Sequence, residues 1–203
     1  MPAPWSRRSA HQAPAYVDTP VGLLGRGGTH FHTTEALVEE FAGPLLEKEP
    51  LATYVDRAEA WLEAPRALAV TLLPVWLALM PWPLAVVATF ATFGLWALAS
   101  PALASRAAVA VVRVLAHPIT QAAILIVALS LLAREGQVGA VWAGLVTFVV
   151  FRIGLVERLL GPLVAKSQAR LYPLPVPDQV LRAFLTRGAI RHGVSLPGLG
   201  EIG

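Results

Sequence analysis

The chain has 203 residues, 56% hydrophobic and 14% charged, with a mean hydropathy of +0.61. A soluble domain usually carries about 25% charged residues, so part of this chain is expected to have lipid as its solvent, and the polar remainder is too small for a large soluble enzyme. Cysteine is absent, which excludes disulfides, thiolate metal sites, cysteine nucleophiles and prenyl or palmitoyl anchors.

Charge is segregated along the chain. Residues 1–65 carry five Lys/Arg and nine Asp/Glu, residues 66–156 five Arg and one Glu, and residues 157–203 six basic and three acidic groups. The net charge is +3 and the pI near 9.8. The basic groups fall at predicted helix ends and in the tail, where anionic lipid headgroups are the nearer partner. No basic patch interleaves with aromatics, so nucleic acid is not an expected partner.

Residues 1–29 read as irregular, because Pro2, Pro4, Pro14 and Pro20 are followed by Gly22, Gly25, Gly27 and Gly28. Arg7-Arg8 is followed by no apolar core, so neither a secretory nor a twin-arginine signal is expected. The run from Gly22 to Thr29 has the glycine spacing of a phosphate loop, but Gly28 stands at the lysine position and no strand is predicted before it. A flexible loop is the reading. His30, His32 and Glu35 are the nearest approach to a metal constellation, with His11 as a possible further ligand. Solvated loop histidines are preferred, and no metal or other cofactor is assigned.

Thr33 or Thr34 can cap a helix running to about Phe41, which Gly43-Pro44 interrupts. Pro50 suits the start of a second helix, over 51–63, with Leu51, Tyr54, Val55, Ala58, Trp61 and Leu62 at helical spacing. Asp56, Glu59 and Glu63 are expected off that face, and the helix is expected at a membrane surface with Trp61 at headgroup level.

The apolar run 67–99 is too long for one span: about 50 Å as a helix, against about 30 Å of hydrocarbon. Pro81-Trp82-Pro83 near its middle predicts a hairpin turn, giving helices over 65–80 and 83–100. Residues 102–116 predict an interfacial helix whose Arg106 and Arg113, seven apart, snorkel to lipid phosphate; His117 beside Pro118 suits a headgroup contact or a helix cap. Further spans are expected over 119–133 and 138–156, the latter running on to Gly161-Pro162. Alternating Pro173, Pro175 and Pro177 predict an extended linker, then a short helix over 178–188 with Val180, Leu181, Phe184 and Leu185 on one face. Residues 193–203 are expected to be loose.

The expected fold is therefore all-α: a polytopic integral membrane protein with four transmembrane helices as two hairpins and amphipathic interfacial helices. Its segments are a cytoplasmic N-terminal part (1–64), the four-helix part (65–160) and a cytoplasmic tail (161–203). Arg57, Arg66, Arg106, Arg113, Arg152, Arg158, Lys166 and Arg170 lie on one side of the spans and only Arg134 on the other. That bias places both termini in the cytoplasm.

The spans hold no carboxylate: no Asp or Glu occurs between Glu63 and Glu135. Coupled carriers usually place an ionisable group at midplane, and no Gly-x-Ser-x-Gly is present for serine hydrolysis. No catalytic residue is assigned. Ala140 and Gly144 have the small-x-x-x-small spacing of close helix packing, inside the bundle or against a neighbour. The expected function is a non-catalytic membrane scaffold or accessory subunit. It would be bound to lipids including anionic headgroups, and to other membrane subunits or copies of itself. The alternatives are a small oligomeric channel or carrier, or a membrane-shaping, lipid-binding hairpin protein.

Overall fold

The computed structural model describes residues 14–99 and 101–196. His11, Arg7-Arg8 and the end of the chain beyond residue 196 lie outside them. Among the described residues the chain is mostly helical, with nine α-helices.

The first element corrects the irregular reading. β1 (Tyr16–Thr19), β2 (Gly22–Gly25) and β3 (His30–Phe31) form an antiparallel sheet in that order. Tyr16 pairs with Gly25, and Leu23 with Phe31. Of the residues behind that reading, Pro20, Gly27 and Gly28 fall in its turns and Gly22 and Gly25 bound β2. Gly22 has φ +131°, and a Cβ there would stand 2.0 Å from the Phe31 carbonyl oxygen, so only glycine fits. Leu23 and Phe31 are fully buried beneath the sheet.

α1 (Glu35–Leu46) is capped by Thr34, whose hydroxyl accepts from the Leu37 amide at 3.4 Å. The interruption at Gly43-Pro44 is a kink, with Ala42 out of helical geometry, and the helix resumes beyond it. α2 (Leu51–Leu62) buries Leu51, Tyr54, Val55, Ala58 and Trp61 as the periodicity predicts. That face does not lie on lipid. It packs on α9 (Val176–His192), whose Val180, Leu181, Phe184 and Leu185 share one core with Leu23, Phe31 and α1. The two flanks of the sequence thus form a single domain. α9 starts before Asp178 and runs past Gly188, which lets α9 approach α2: a Cβ there would meet the Tyr54 hydroxyl at 2.4 Å.

The bundle contains α3 (Ala64–Leu79), α4 (Trp82–Ala97), α6 (Pro118–Arg134) and α7 (Val138–Arg152), with α3 against each of the others. The α3–α4 turn falls at Met80-Pro81, as the paired prolines predict. α5 (Arg106–Ala116) precedes α6 across a 61° bend. Expected as one helix, 138–160 breaks at Ile153-Gly154, where Gly154 takes φ +73°. α8 (Leu155–Leu171) leaves at 60° and passes through Gly161-Pro162 without ending. A proline inside a helix forfeits one backbone hydrogen bond, and here Pro162 is on the exposed side of α8. No single described helix is long and apolar enough to cross a membrane. α2/α3, α5/α6 and α7/α8 reach that length only as bent pairs.

Leu73, Leu77, Ala85, Leu132 and Ala140 fill one part of the bundle, and Ala69, Val70, Phe93, Phe151 and Val156 another. The Thr71 hydroxyl lies 2.7 Å from the Ala67 carbonyl and 3.0 Å from that of Leu115, tying α3 to α5. Ala140 and Gly144 both face inward. A Cβ at Gly144 would meet Leu77 Cδ1 at 2.8 Å and Leu129 Cδ2 at 3.1 Å, so this small-residue stripe serves the bundle itself. Gly144→Val should lower the thermal midpoint in mild detergent, with a loss of roughly 1–3 kcal/mol from overpacking. Gly139→Val, one turn away with nothing within 4 Å of its Cβ, should leave the midpoint nearly unchanged.

Candidate functional site

α2 passes into α3 at Glu63, and this junction collects the polar chemistry of the chain. Glu59, buried to 6% exposure, was expected to face outward. Instead its Oε1 accepts from the Gly27 amide at 2.7 Å and the Thr29 amide at 3.3 Å. The turn between β2 and β3 wraps this carboxylate, and a Cβ at Gly25 or Gly27 would stand within 3 Å of it. These glycines therefore cradle a side chain of the protein, not a phosphate. Glu63 follows one turn later. Burial and then the neighbouring Glu59 charge push its carboxyl upward, against the pull of Arg66.

Arg66, in the first turn of α3, reaches across to the end of α7. Its Nε donates to the Phe151 carbonyl at 3.1 Å and its guanidinium also donates to the Arg152 carbonyl. The last carbonyls of a helix lack partners within it, and the negative end of the helix dipole favours a cation there. Glu157 in the first turn of α8 stands 3.6 Å from Arg66 Nε.

A cavity of about 380 Å³ opens between these groups. Its polar wall is Glu63, Arg66, Glu157 and Gln168; its apolar wall includes Trp61, Phe93, Trp96, Val164 and Val180. Trp61 and Trp96 are in contact, with ring centroids 4.9 Å apart. A smaller cavity of about 130 Å³ shares Glu63 and Arg66 and adds Gln121 and Arg152. Such an arrangement suits binding of a molecule with a polar head and an apolar body.

A second cluster centres on Glu49. Its carboxylate accepts from Arg57 at 2.5 Å, Arg106 at 2.8 Å, Arg191 at 2.5 Å and the Tyr54 hydroxyl at 2.8 Å, with His192 at 3.7 Å. Burial works to raise the Glu49 carboxyl, but the Arg57 and Tyr54 hydrogen bonds and the Arg57 and Arg106 charges outweigh it and hold it at about 2. Arg113, two turns along α5, pairs with Asp56 at 2.5 Å. Both arginines assigned to lipid phosphate therefore have carboxylate partners, while their side chains remain 46% and 50% exposed. His117 caps α6, its Nδ1 accepting from the Ile119 amide at 3.3 Å.

The metal candidates separate. His30 and His32 stack edge to face at 4.7 Å. His32 turns to Asp178 at 3.3 Å, and Glu35 accepts from the Tyr16 hydroxyl at 3.0 Å. Among the described residues no group of three or more His, Asp or Glu converges as in a metal site.

Sequence reasoning missed Glu49, Glu59, Arg66 and Glu157 as a set. Their partners lie up to 142 residues away, and no spacing rule joins them. Neither a family model, nor a curated protein, nor a solved structure matches the chain.

Glu49 is depressed from an ordinary 4.5, so its contribution to stability is complete above about pH 4.5 and is lost as pH falls towards 2. Glu49→Gln should lower stability on the order of 2 kcal/mol, between the values for exposed and for buried pairs. It should also flatten the acid limb of a plot of melting midpoint against pH.

Proposed function

We propose that the chain is a multi-pass integral membrane protein that works without chemistry of its own, as a scaffold or accessory subunit. The observation that carries this reading is the apolar outer face of the bundle. Leu79, Val87, Leu95, Ile119, Ile126 and Trp142 are each more than 60% exposed, on four different helices. Soluble monomers rarely present contiguous apolar surface of that extent, whereas lipid is an indifferent solvent for it.

The four spans are short. Helices of 15–17 residues reach about 23–26 Å, so the bilayer thins around them or the bent extensions α5 and α8 complete the crossing at the interface. α5 exposes Val111 and Val114; α8 exposes Leu159 and Leu163 beside Lys166 and Arg170. Both compositions suit the headgroup layer, with anionic lipid as a further contact for the exposed parts of Arg106 and Arg113, beside their carboxylate partners, and for His117. The basic asymmetry supports cytoplasmic placement of both termini and of the domain they build.

The small-residue stripe of α7 is occupied within the chain, so a neighbouring subunit is expected on the outward face of α4, at Leu84, Val87, Ala91 and Leu95. The bundle interior is filled by Leu73, Leu77, Leu132 and Ala140, which weighs against a pore through one copy. The exposed amphipathic helices α5 and α8 favour membrane shaping or lipid binding as the second reading.

The chain should stay in the membrane fraction through alkaline carbonate. Reporters fused at residues 134–136 and at the C-terminus should fall on opposite sides, and native mass measurement in gentle detergent should find an assembly. Release by carbonate would refute the membrane reading, and both reporters on one side would refute the four-span topology. A monomer that moves a solute or turns over a substrate alone would refute the accessory role.

A further inference from the structure

We propose that the junction cavity binds the alkylammonium headgroup of a membrane lipid, the chemistry carried by an ethanolamine phospholipid. This rests on the membrane reading for the source of the lipid, but the site is argued from its own walls.

The first observation is Glu157. Its side chain lines the cavity and is 35% exposed, yet its two carboxylate oxygens are tucked inward and accept no hydrogen bond. Arg66 pairs with it as a charge at 3.6 Å, while the Nε and one terminal nitrogen of that guanidinium donate to the carbonyls of Phe151 and Arg152. Sealed acceptors without donors are costly, and in native proteins they usually mark a missing partner. An ammonium group carries several donors and a positive charge, which is what two buried lone-pair sites lack.

The second observation is the charge of the wall. Glu63 and Glu157 face one cavity with a single guanidinium between them, and Glu59 lies just behind the Gly27 lining. An anion would meet this excess of carboxylate unfavourably. The third is aromatic. Trp61, Trp96 and Phe93 line the same space, and the faces of such rings attract ammonium groups, with tryptophan the strongest.

The fourth observation selects a lipid over a free amine. The cavity lies at the end of the bundle. Its lining residues Ala97 and Ala99 flank the exposed Leu98, and Gly161 and Val164 alternate with the exposed Leu160 and Leu163. An acyl chain leaving the cavity would meet apolar surface on α4 and α8. A volume of about 380 Å³ is within the range of small-ligand pockets. It suits a headgroup with its tails outside.

The test uses the purified full chain in a maltoside detergent, titrated with dioctanoyl phosphatidylethanolamine, dioctanoyl phosphatidylglycerol, octylamine and ethanolamine. Bound molecules are counted by native mass spectrometry. Phosphatidylethanolamine should bind at least about tenfold more tightly than phosphatidylglycerol, a difference of about 1.4 kcal/mol. Glu157→Gln should abolish most of that preference while leaving phosphatidylglycerol binding unchanged. Glu63→Gln, at the exposed edge of the cavity, should weaken it in the same direction and serves where Glu157→Gln lowers the melting midpoint. Equal binding of the two phospholipids, or a preference that survives both substitutions, would overturn the site. Octylamine binding as tightly as phosphatidylethanolamine would overturn the lipid assignment. Carbonate extraction is scored separately. A chain released by carbonate that still prefers the ethanolamine headgroup keeps the site and loses the membrane reading. A retained chain without the preference does the reverse.

Discussion

Three guanidiniums, from α2, α5 and α9, meet one carboxylate at Glu49. Each arginine comes from a different stretch of sequence, so the contact fixes the mutual placement of the N-terminal domain, the middle of the chain and the tail. Its charges do not balance. Three cations around one anion repel one another, and the arrangement holds because Glu49 is little exposed while the arginines keep part of their surface in solvent. Arg113 and Asp56 repeat the attachment two turns further along α5. With both pairs made, α5 is laid along α2, and its direction cannot continue into α6. The chain turns by 61° at His117-Pro118, where the histidine ring caps the new helix and the proline supplies the φ of its first turn.

The opposite side of the junction is held by helix ends, not side-by-side packing. Arg66 satisfies the end of α7. Gln168 and Tyr172 of the α8 segment donate to the Ala97 and Leu98 carbonyls at the end of α4. End-on contacts fix position with few atoms and leave space between the helix bodies. The cavity lined by Trp61, Trp96 and Glu157 is that space. The same geometry explains why α8 departs at an angle: a straight continuation of α7 would carry Gln168 away from α4 and leave those carbonyls without donors. Gly154 in the left-handed region makes the turn without strain.

Much of the helical pattern was legible in the sequence. Paired prolines at 81 and 83, Pro118, and the apolar periods of α2 and α9 each mark a boundary or a buried face that the structure repeats. Four features were not legible, each for a physical reason. Glycines at 22, 25 and 27 read as breakers because a sequence shows their freedom and not the Phe31 carbonyl or the Glu59 carboxylate that requires it. α2 and α9 each showed an apolar face without its partner; burial of one against the other is a contact across more than a hundred residues. Arg106 and Arg113 formed a basic stripe that suited phosphate, and only the fold brings Glu49 and Asp56 opposite them. Gly154 carried no mark to distinguish it from Gly161, yet the first breaks the helix and the second does not.

The two parts of the chain cohere by different forces, on the membrane reading. The domain built from β1–β3, α1, α2 and α9 faces water, and burial of Leu23, Phe31, Tyr54 and Phe184 draws on the hydrophobic effect. The bundle gains little from that source, since lipid tails are as apolar as the side chains it would bury. Of its internal hydroxyls, Thr89 and Thr92 bond to carbonyls of their own helix, and Thr71 alone of these three reaches another helix, at the Leu115 carbonyl. What remains is close packing at Gly144 and Ala140 and the polar end contacts at Arg66, Gln168 and Tyr172. Those end contacts are anchored to the domain built from the two flanks, whereas the Arg134–Gln137 end is held by its turn and by the packing of Leu77, Ala85, Leu132 and Ala140. A ligand seated between Trp96 and Glu157 would act where the carbonyls that end α4 and α7 are held by Gln168, Tyr172 and Arg66.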